Sequence, residues 1–355
     1  QDELAGAIVA QLRSQLGAAG TGIETPVPAA ARHVPNTEAF EWFFKGRVFQ
    51  DQRVEGMQRA RDCFQRAIAI DGEFAPAHAH LGRVALYESL YAFRPPLEGF
   101  GEARRSAEAA LALDPASTEA HLVLAYVSIF HDWNIPAAID RFDRADAAGP
   151  PTAASISGRA WAEFTQGRVE AAIRLCDDAV HLDPLALEPR INLCMMLYFS
   201  GQYDRAIREA EGSLERSVVQ SEPLRFKGLS LLLLGRTDDA VDVLEQCVAI
   251  SQRGGWALAS LTTALAKAGR TDEVKAITAE LRARAAHGWV PPLLLSVAAY
   301  YSGDAADGAA QLRRSMEERD FWLPCLHLDR VFVEVFRQDP VAVAMFKASG
   351  LPFPA

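Results

Sequence analysis

The sequence is poor in cysteine, and no two of its cysteines form a C-x-x-C pair. The five that occur are scattered along the chain and odd in number: Cys63, Cys176, Cys194, Cys247 and Cys325. A chain of 355 residues can bury a core without cross-links, so this spacing does not indicate a disulfide framework. We expect free thiols buried in a reducing compartment, which favours the cytoplasm.

Long apolar runs and a surplus of basic residues are also missing. No apolar run approaches the ~20 residues that a membrane-spanning helix needs, so we expect no membrane insertion. The 46 acidic residues outnumber the 36 lysines and arginines, which gives a formal net charge of -10. Because an acidic surface repels a phosphate backbone, we expect no nucleic-acid binding through this segment. The chain opens on Gln1 without a basic and apolar leader, and we interpret it as a fragment or a processed product.

Motifs for catalysis are absent as well. The sequence contains no P-loop, no G-x-G-x-x-G, no G-x-S-x-G and no H-E-x-x-H. His78 and His80 are two residues apart on a predicted helix and therefore point to different faces. His78 and His121 occupy matching positions of adjacent predicted helices, but the pattern places no third ligand beside them. We therefore expect no catalytic residue, no metal and no cofactor in this segment.

A repeat of 34 residues is the main feature that the sequence does have. Five glycines recur at this interval: Gly167, Gly201, Gly235, Gly269 and Gly303. Five residues after each glycine stands a small or slim residue, in the series Ala172, Ala206, Ala240, Val274 and Gly308. Such self-similarity is the signature of a repeat architecture.

Each repeat has the pattern of two helices joined by a turn. Apolar residues with helical spacing precede each glycine, and a second amphipathic stretch follows it. The glycine permits a positive φ where the first helix must end, and Asp204, Asp238 and Asp272 fall near the start of the second helix, where a carboxylate is favourable. The small residue lets the two helices approach closely. Since one hairpin cannot cover its own apolar face, the hairpins must stack.

The motif of this repeat resembles the tetratricopeptide repeat (TPR). Ala138, Phe142, Ala145 and Pro150 match its series of small, aromatic, small and proline positions. The resemblance implies an all-α fold, a right-handed α-solenoid of about eight helical hairpins with C-terminal capping helices. We expect an N-terminal helix at 1–16 that ends an upstream domain, a linker at 17–36, the array at 37–320 and the cap at 321–355.

Both ends of the chain resemble a narrower group of bacterial multidomain signalling proteins. The opening QDELAGAIVAQL is similar to the end of their TolB-like segment, and the stretch from HGWVPPLLL to ASGLP is similar to their last repeat and cap. In that group the array is attached to a nucleotidyl cyclase, a protein kinase or a winged-helix DNA-binding domain. The resemblance implies a regulatory module of a signalling protein.

The resemblance also implies that the first helix of each hairpin lines a concave groove. The inward positions of the in-phase units form an apolar, aromatic lining with one cation. We predict that a protein or peptide partner binds in this groove, and the predicted site residues are Trp161, Phe164, Asn192, Met195, Phe199, Arg225, Phe226, Leu229, Trp256 and Tyr300.

The pattern leaves three questions open. A C-terminal helix within DRVFVEVF, or a second copy of the chain in a homodimer, is an alternative occupant of the groove. A small-molecule sensor that encloses an apolar ligand is an alternative to a partner-binding scaffold. The third alternative is an accessory part of an enzyme whose active site lies outside this segment.

Overall fold

The structure, a computed structural model, describes residues 33–52, 56–216 and 221–351. The predicted helix at 1–16 and most of the predicted linker at 17–36 lie outside these residues. Every regular element within the described ranges is a helix, as the repeat pattern predicts.

Sixteen helices in the described part of the chain pair into eight hairpins. They are α1 Thr37–Asp51 with α2 Met57–Ile70, α3 Ala75–Leu90 with α4 Pro96–Leu113, α5 Thr118–Phe130 with α6 Ile135–Ala148, α7 Ala153–Thr165 with α8 Val169–Leu182, α9 Leu187–Ser200 with α10 Tyr203–Arg216, α11 Ser221–Leu233 with α12 Thr237–Ile250, α13 Gly255–Lys267 with α14 Thr271–His287, and α15 Pro292–Tyr301 with α16 Ala305–Glu317. A 3-10 helix at Leu323–Leu328, α17 at Phe332–Arg337 and α18 at Pro340–Ser349 follow. The prediction of an all-α solenoid with C-terminal capping helices is confirmed.

The glycines of the 34-residue repeat end the first helices, as predicted. Gly167, Gly201, Gly235, Gly269 and Gly303 all have positive φ, between 73° and 90°. Any residue with a Cβ atom is disfavoured in this conformation, which explains why glycine recurs there. Trp133 stands one repeat before Gly167 and takes the same conformation, with φ 55°.

Small residues allow the two helices of a hairpin to pack closely. Ala172, Ala206 and Ala240 are fully buried. A Cβ atom added to Gly228 of α11 would lie 2.5 Å from the side chain of Leu244 on α12. The helix contact is therefore too tight at this point for any larger residue, which agrees with the close packing predicted from sequence.

The first helices are buried on more than one side. In α9, all residues from Ile191 to Phe199 are buried, whereas the second helices bury a single stripe. A helix that is apolar all round must be covered all round. The second helices cover the outer sides of the first helices, so something else covers their concave side.

The buried side chains form two clusters. The smaller one joins α1 and α2 to α3, with Phe43, Phe64 and Phe74 among its members. The larger one runs from α3 to α18 without interruption. No helix within the described ranges is both long and apolar enough to cross a membrane.

Candidate binding groove

The predicted groove residues lie on first helices, and nine of the ten are buried. The buried ones are Trp161, Phe164, Asn192, Met195, Phe199, Arg225, Phe226, Leu229 and Trp256. Tyr300 is half-buried. These side chains would be exposed on a concave surface that was open, so the groove has an occupant.

The occupant is the chain's own C-terminal segment, residues 321–351. Its first two residues, Phe321 and Trp322, insert between the aromatic rings of the first helices. Trp322 lies 5.6 Å from the ring of Phe199 and 5.7 Å from that of Trp256, measured between ring centroids. Phe321 lies 5.8 Å from the ring of Phe130. Ring pairs at such distances add to the energy of apolar burial.

Polar contacts hold the rest of the segment in the groove. The hydroxyl of Tyr198 on α9 donates a hydrogen bond of 2.9 Å to the carboxylate of Asp329. Further along, the hydroxyl of Tyr300 donates to Asp339. Lys267 on α13 forms an ion pair of 2.8 Å with Glu334. The segment is therefore fixed at several first helices.

The sequence left open whether the groove is free or filled by a C-terminal helix, and in the structure the C-terminal segment fills this part of it. Phe164 and Leu229 have no exposed surface, and Phe199 packs against Trp322. A partner cannot touch these side chains while the segment is in place. The alternative in which a C-terminal helix occupies the groove describes this half of the surface, because α17 comes from the DRVFVEVF stretch.

A narrow pocket remains where the segment does not fill the concave side. It holds about 710 Å³ of space, including its open mouth. Six of the predicted residues line it: Trp161, Asn192, Met195, Arg225, Phe226 and Trp256. Its walls also include Tyr87, Leu90, Tyr91, Tyr126, Phe130, Glu188, Ile191, Glu222, Phe321 and Trp322. The pocket thus joins the first helices α3 to α13 to the C-terminal segment.

Glu188 forms the acidic end of this pocket. Its two carboxylate oxygens accept hydrogen bonds of 2.7 Å from the hydroxyl of Tyr87 and 2.9 Å from that of Tyr126. The guanidinium of Arg83 lies 3.8 Å away. Burial and the neighbouring Glu188 raise the pKa of Tyr126 well above its usual value, so its hydroxyl stays a donor.

Sequence reasoning missed this end of the pocket. Tyr87, Tyr126 and Arg83 belong to the hairpins that precede the strict 34-residue register, so the pattern did not assign them an inward position. Tyr126 does carry a signal, because it brings a phenol hydroxyl into a helix whose residues from Ala120 to Phe130 are all buried. A buried tyrosine hydroxyl usually has a hydrogen-bond partner.

Arg225 forms the other end of the pocket. Its Nη2 donates a hydrogen bond of 2.8 Å to Glu222, and its Cζ lies 4.2 Å from the centre of the Phe226 ring. Burial disfavours the charge of Arg225, but the carboxylate of Glu222 outweighs that effect and raises its pKa. Arg225 is therefore a buried cation whose charge is matched by one carboxylate.

A wider groove of about 1610 Å³ adjoins the pocket and shares Tyr87 and Glu188 with it. Its walls mix apolar side chains with polar and charged ones, among them Arg47, His80 and Glu119. Nδ1 of His80 lies 2.8 Å from Oε1 of Gln50. Burial, aided by Arg47 and Arg83, lowers the pKa of His80 well below its usual value, so this ring is neutral at pH 7. No residue of the predicted site lies here.

Of the three histidines considered for a metal site, His78 and His121 lie apart from both openings. His78 Nε2 lies 2.9 Å from the carbonyl oxygen of Gly72, and His121 Nε2 lies 3.1 Å from that of Pro115. Each thus bonds the turn that precedes its own helix. Within the described ranges no group of three or more histidine, cysteine or acidic residues is placed to hold a metal ion.

All five cysteines are free and buried, as the sequence predicts. Burial raises the pKa of their thiols, to about 12 for Cys194, Cys247 and Cys325. A thiol that stays protonated is neither a nucleophile nor a metal ligand.

Neither a family model nor a curated protein sequence matches the chain. Solved structures do resemble it. The human IFIT1 dimer with PPP-AAAA matches with a TM-score of 0.50 and 13% identity over 79% of this chain and 72% of that chain. TTC0263, a TPR protein of Thermus thermophilus, matches with a TM-score of 0.44 and 17% identity over 55% of this chain and 99% of its own. YrrB, a TPR protein with an unusual peptide-binding site, matches with a TM-score of 0.34 and 19% identity over 55% and 95%. At these identities the likeness is one of fold: the chain is an all-α solenoid of helical hairpins, and TPR proteins are among the structures it resembles.

Proposed function

We propose that this chain is a protein–protein interaction module of the TPR type that binds a partner segment on its concave side. The observation that supports the proposal is the chain's own segment 321–351, which already lies on that side. These first helices thus accept a largely helical polypeptide segment with aromatic and acidic side chains. The wider groove between α1 and α9 is a part of the surface that this segment leaves open.

The composition of the open groove suits a polypeptide partner. Arg47 is exposed, and Leu185, in the turn before α9, is 82% exposed. A partner segment that places an apolar side chain on Leu185 and an acidic one near Arg47 uses both features. The resemblance of the two chain ends to bacterial signalling proteins adds the finer proposal that the module regulates an attached effector.

A library of random peptides displayed on phage tests this proposal. We expect enriched peptides whose affinity falls about tenfold for Leu185→Glu and for Arg47→Glu, since each change removes an anchor worth about 1.4 kcal/mol. Fluorescence polarisation of a labelled peptide measures the affinity.

Two exposed positions outside the groove provide matched controls. Leu97 on α4 is 73% exposed, and Arg208 on α10 is exposed. Leu97→Glu and Arg208→Glu should change the affinity less than twofold. The proposal fails if no peptide is enriched, or if the groove variants and the control variants bind equally well.

Sensing of a small molecule is a second candidate function. The narrow pocket supports it, because its walls combine aromatic rings with buried polar groups, which is the composition of small-molecule sites. In that case the bound molecule stabilises the seated position of Phe321 and Trp322. An accessory role in an enzyme has no such feature to support it.

A further inference from the structure

Three buried N–H groups at one end of the narrow pocket have no hydrogen-bond partner among the described residues. They are Nη1 of Arg225, Nε1 of Trp256 and Nε1 of Trp322. The three side chains are 5%, 7% and 4% exposed. Leaving a buried donor without an acceptor costs about 1–3 kcal/mol. Three such donors beside one pocket indicate a place for an acceptor group.

The three side chains are neighbours, although they come from different parts of the chain. The rings of Trp256 on α13 and Trp322 after α16 are 5.7 Å apart. The guanidinium carbon of Arg225 on α11 lies 5.5 Å from the centre of the Trp256 ring. All three side chains line the narrow pocket.

The charges near these donors favour a carboxylate as that group. Glu222 neutralises Arg225 through Nε and Nη2 and leaves Nη1 unused. Asp329, whose Oδ2 has no hydrogen-bond partner among the described residues, also acts on the charge of Arg225, but it is not among the side chains that line the pocket. Glu188 lies at the opposite end, where it is bound to Tyr87 and Tyr126. An ammonium group beside Arg225 and the two indoles would meet donors, whereas a carboxylate gains a charge-assisted bond.

The walls between the two ends are apolar. Phe130, Trp161, Ile191, Met195 and Phe226 line this part of the pocket. We propose that the pocket binds a small apolar carboxylate, with its oxygens toward Arg225, Trp256 and Trp322 and its apolar body between the rings. This inference rests on the second candidate function and names its ligand class.

Phenylacetate, phenylacetamide and phenethylamine are probes that differ only in the polar end. We expect phenylacetate to bind most tightly by isothermal titration calorimetry and to raise the midpoint of thermal unfolding. The N–H signals of the indole rings should also respond. Phenylacetate should shift the Nε1–H resonances of Trp256 and Trp322, which are identified from their loss in Trp256→Phe and Trp322→Phe.

The same two variants test the donors, because phenylalanine keeps an aromatic ring and removes the N–H group. Each should weaken phenylacetate binding about tenfold, the value expected for a hydrogen bond to a charged group. Trp289→Phe is the matched control, since Trp289 is half-buried and lies outside this pocket. It should bind phenylacetate like the unchanged protein.

Three results would overturn the inference. Equal binding of phenylacetate and phenylacetamide would show that the negative charge is not recognised and that a neutral carbonyl oxygen is sufficient. Tighter binding of phenethylamine, abolished in Glu188→Gln, would reverse the polarity and leave small-molecule sensing intact. If none of the three probes binds, the proposed ligand class is wrong. The peptide experiment tests the wider groove and would be unaffected by that result.

Discussion

Asp320 is a buried carboxylic acid at the point where the chain turns into the groove. It is 2% exposed, and its Oδ1 accepts a hydrogen bond of 3.0 Å from the backbone N–H of Trp322. Burial raises the pKa of Asp320 to about 7, although the bond from Trp322 opposes the shift. The residue before it, Arg319, has a positive φ of 54°. This turn places Phe321 and Trp322 against the first helices.

The pKa of Asp320 makes stability depend on pH in a defined direction. In the unfolded chain the carboxyl loses its proton near pH 4, whereas in the folded chain it keeps the proton up to about pH 7. Folding therefore becomes less favourable as the pH rises between these values. Asp320→Asn keeps an acceptor for the N–H of Trp322 and cannot ionise. Relative to the unchanged protein it should gain free energy of unfolding from pH 4 to pH 7, up to roughly 4 kcal/mol.

Urea unfolding at pH 4, 5, 6, 7 and 8 measures this difference. Asp178→Asn on α8 is the control, because Asp178 is exposed, and its difference from the unchanged protein should stay near zero across the range. A flat difference for Asp320→Asn would show that the carboxyl is ionised in the folded chain at all these values.

Trp133 shows a residue-scale feature that the repeat predicts only in part. It takes the left-handed conformation of the repeat glycines, with the strain that a side chain brings there. Its ring packs under the guanidinium of Arg319, at 4.5 Å, and its Nε1 donates to the carbonyl oxygen of Phe130. The repeat register predicts the backbone conformation of Trp133. It does not predict the contact with Arg319, which compensates for the strain and lies at the end of the array.

Among the elements, the C-terminal segment has the largest effect on how the predicted binding site is interpreted, because it covers part of that site. The 34-residue period, read with the resemblance to the tetratricopeptide repeat, predicts which face of each first helix turns inward. It cannot predict what covers that face, because the covering contacts are non-periodic pairs such as Tyr198 with Asp329, 131 residues apart. Tyr87 on α3 and Tyr126 on α5, which bind Glu188 at the acidic end of the pocket, were missed because their helices precede the strict register.

Phe332 on α17 provides a test of this segment. It has no exposed surface, and its ring lies parallel to that of Trp256 at 6.3 Å. Phe332→Ala should lower the free energy of unfolding by about 3–5 kcal/mol, as for other buried phenylalanines. Phe93→Ala is the matched control, since Phe93 is 52% exposed and surface changes usually stay within about 0.5 kcal/mol. Equal effects in urea unfolding would mean that α17 does not contribute to the folded state in solution.

At the scale of the whole molecule, the two core clusters predict unequal stability. The first hairpin shares its core only with α3, whereas α3 to α18 share one continuous core that the C-terminal segment ties together. In a simple repeat array each hairpin is stabilised by its neighbours alone. We therefore expect the amides of α1 and α2 to exchange with deuterium earlier than those of α9 and α13, since local unfolding starts where few contacts must break.

Hydrogen exchange followed by mass spectrometry measures this order. Peptides from α15 and α16 serve as the internal reference, because they form the last hairpin and yet contact the segment. If the first and last hairpins exchange at the same rate, position at an end decides the stability and the segment adds nothing to it.

The two tyrosine bonds on Glu188 have a mechanical consequence. Tyr87, Tyr126 and Glu188 belong to the second, third and fifth hairpins, so these bonds span the curve of the array like a chord. An array joined only between adjacent hairpins can lengthen or shorten along its axis. Here the two bonds on Glu188 restrain the spacing of these hairpins around the pocket. The pocket is therefore preorganised, and binding costs little free energy of rearrangement.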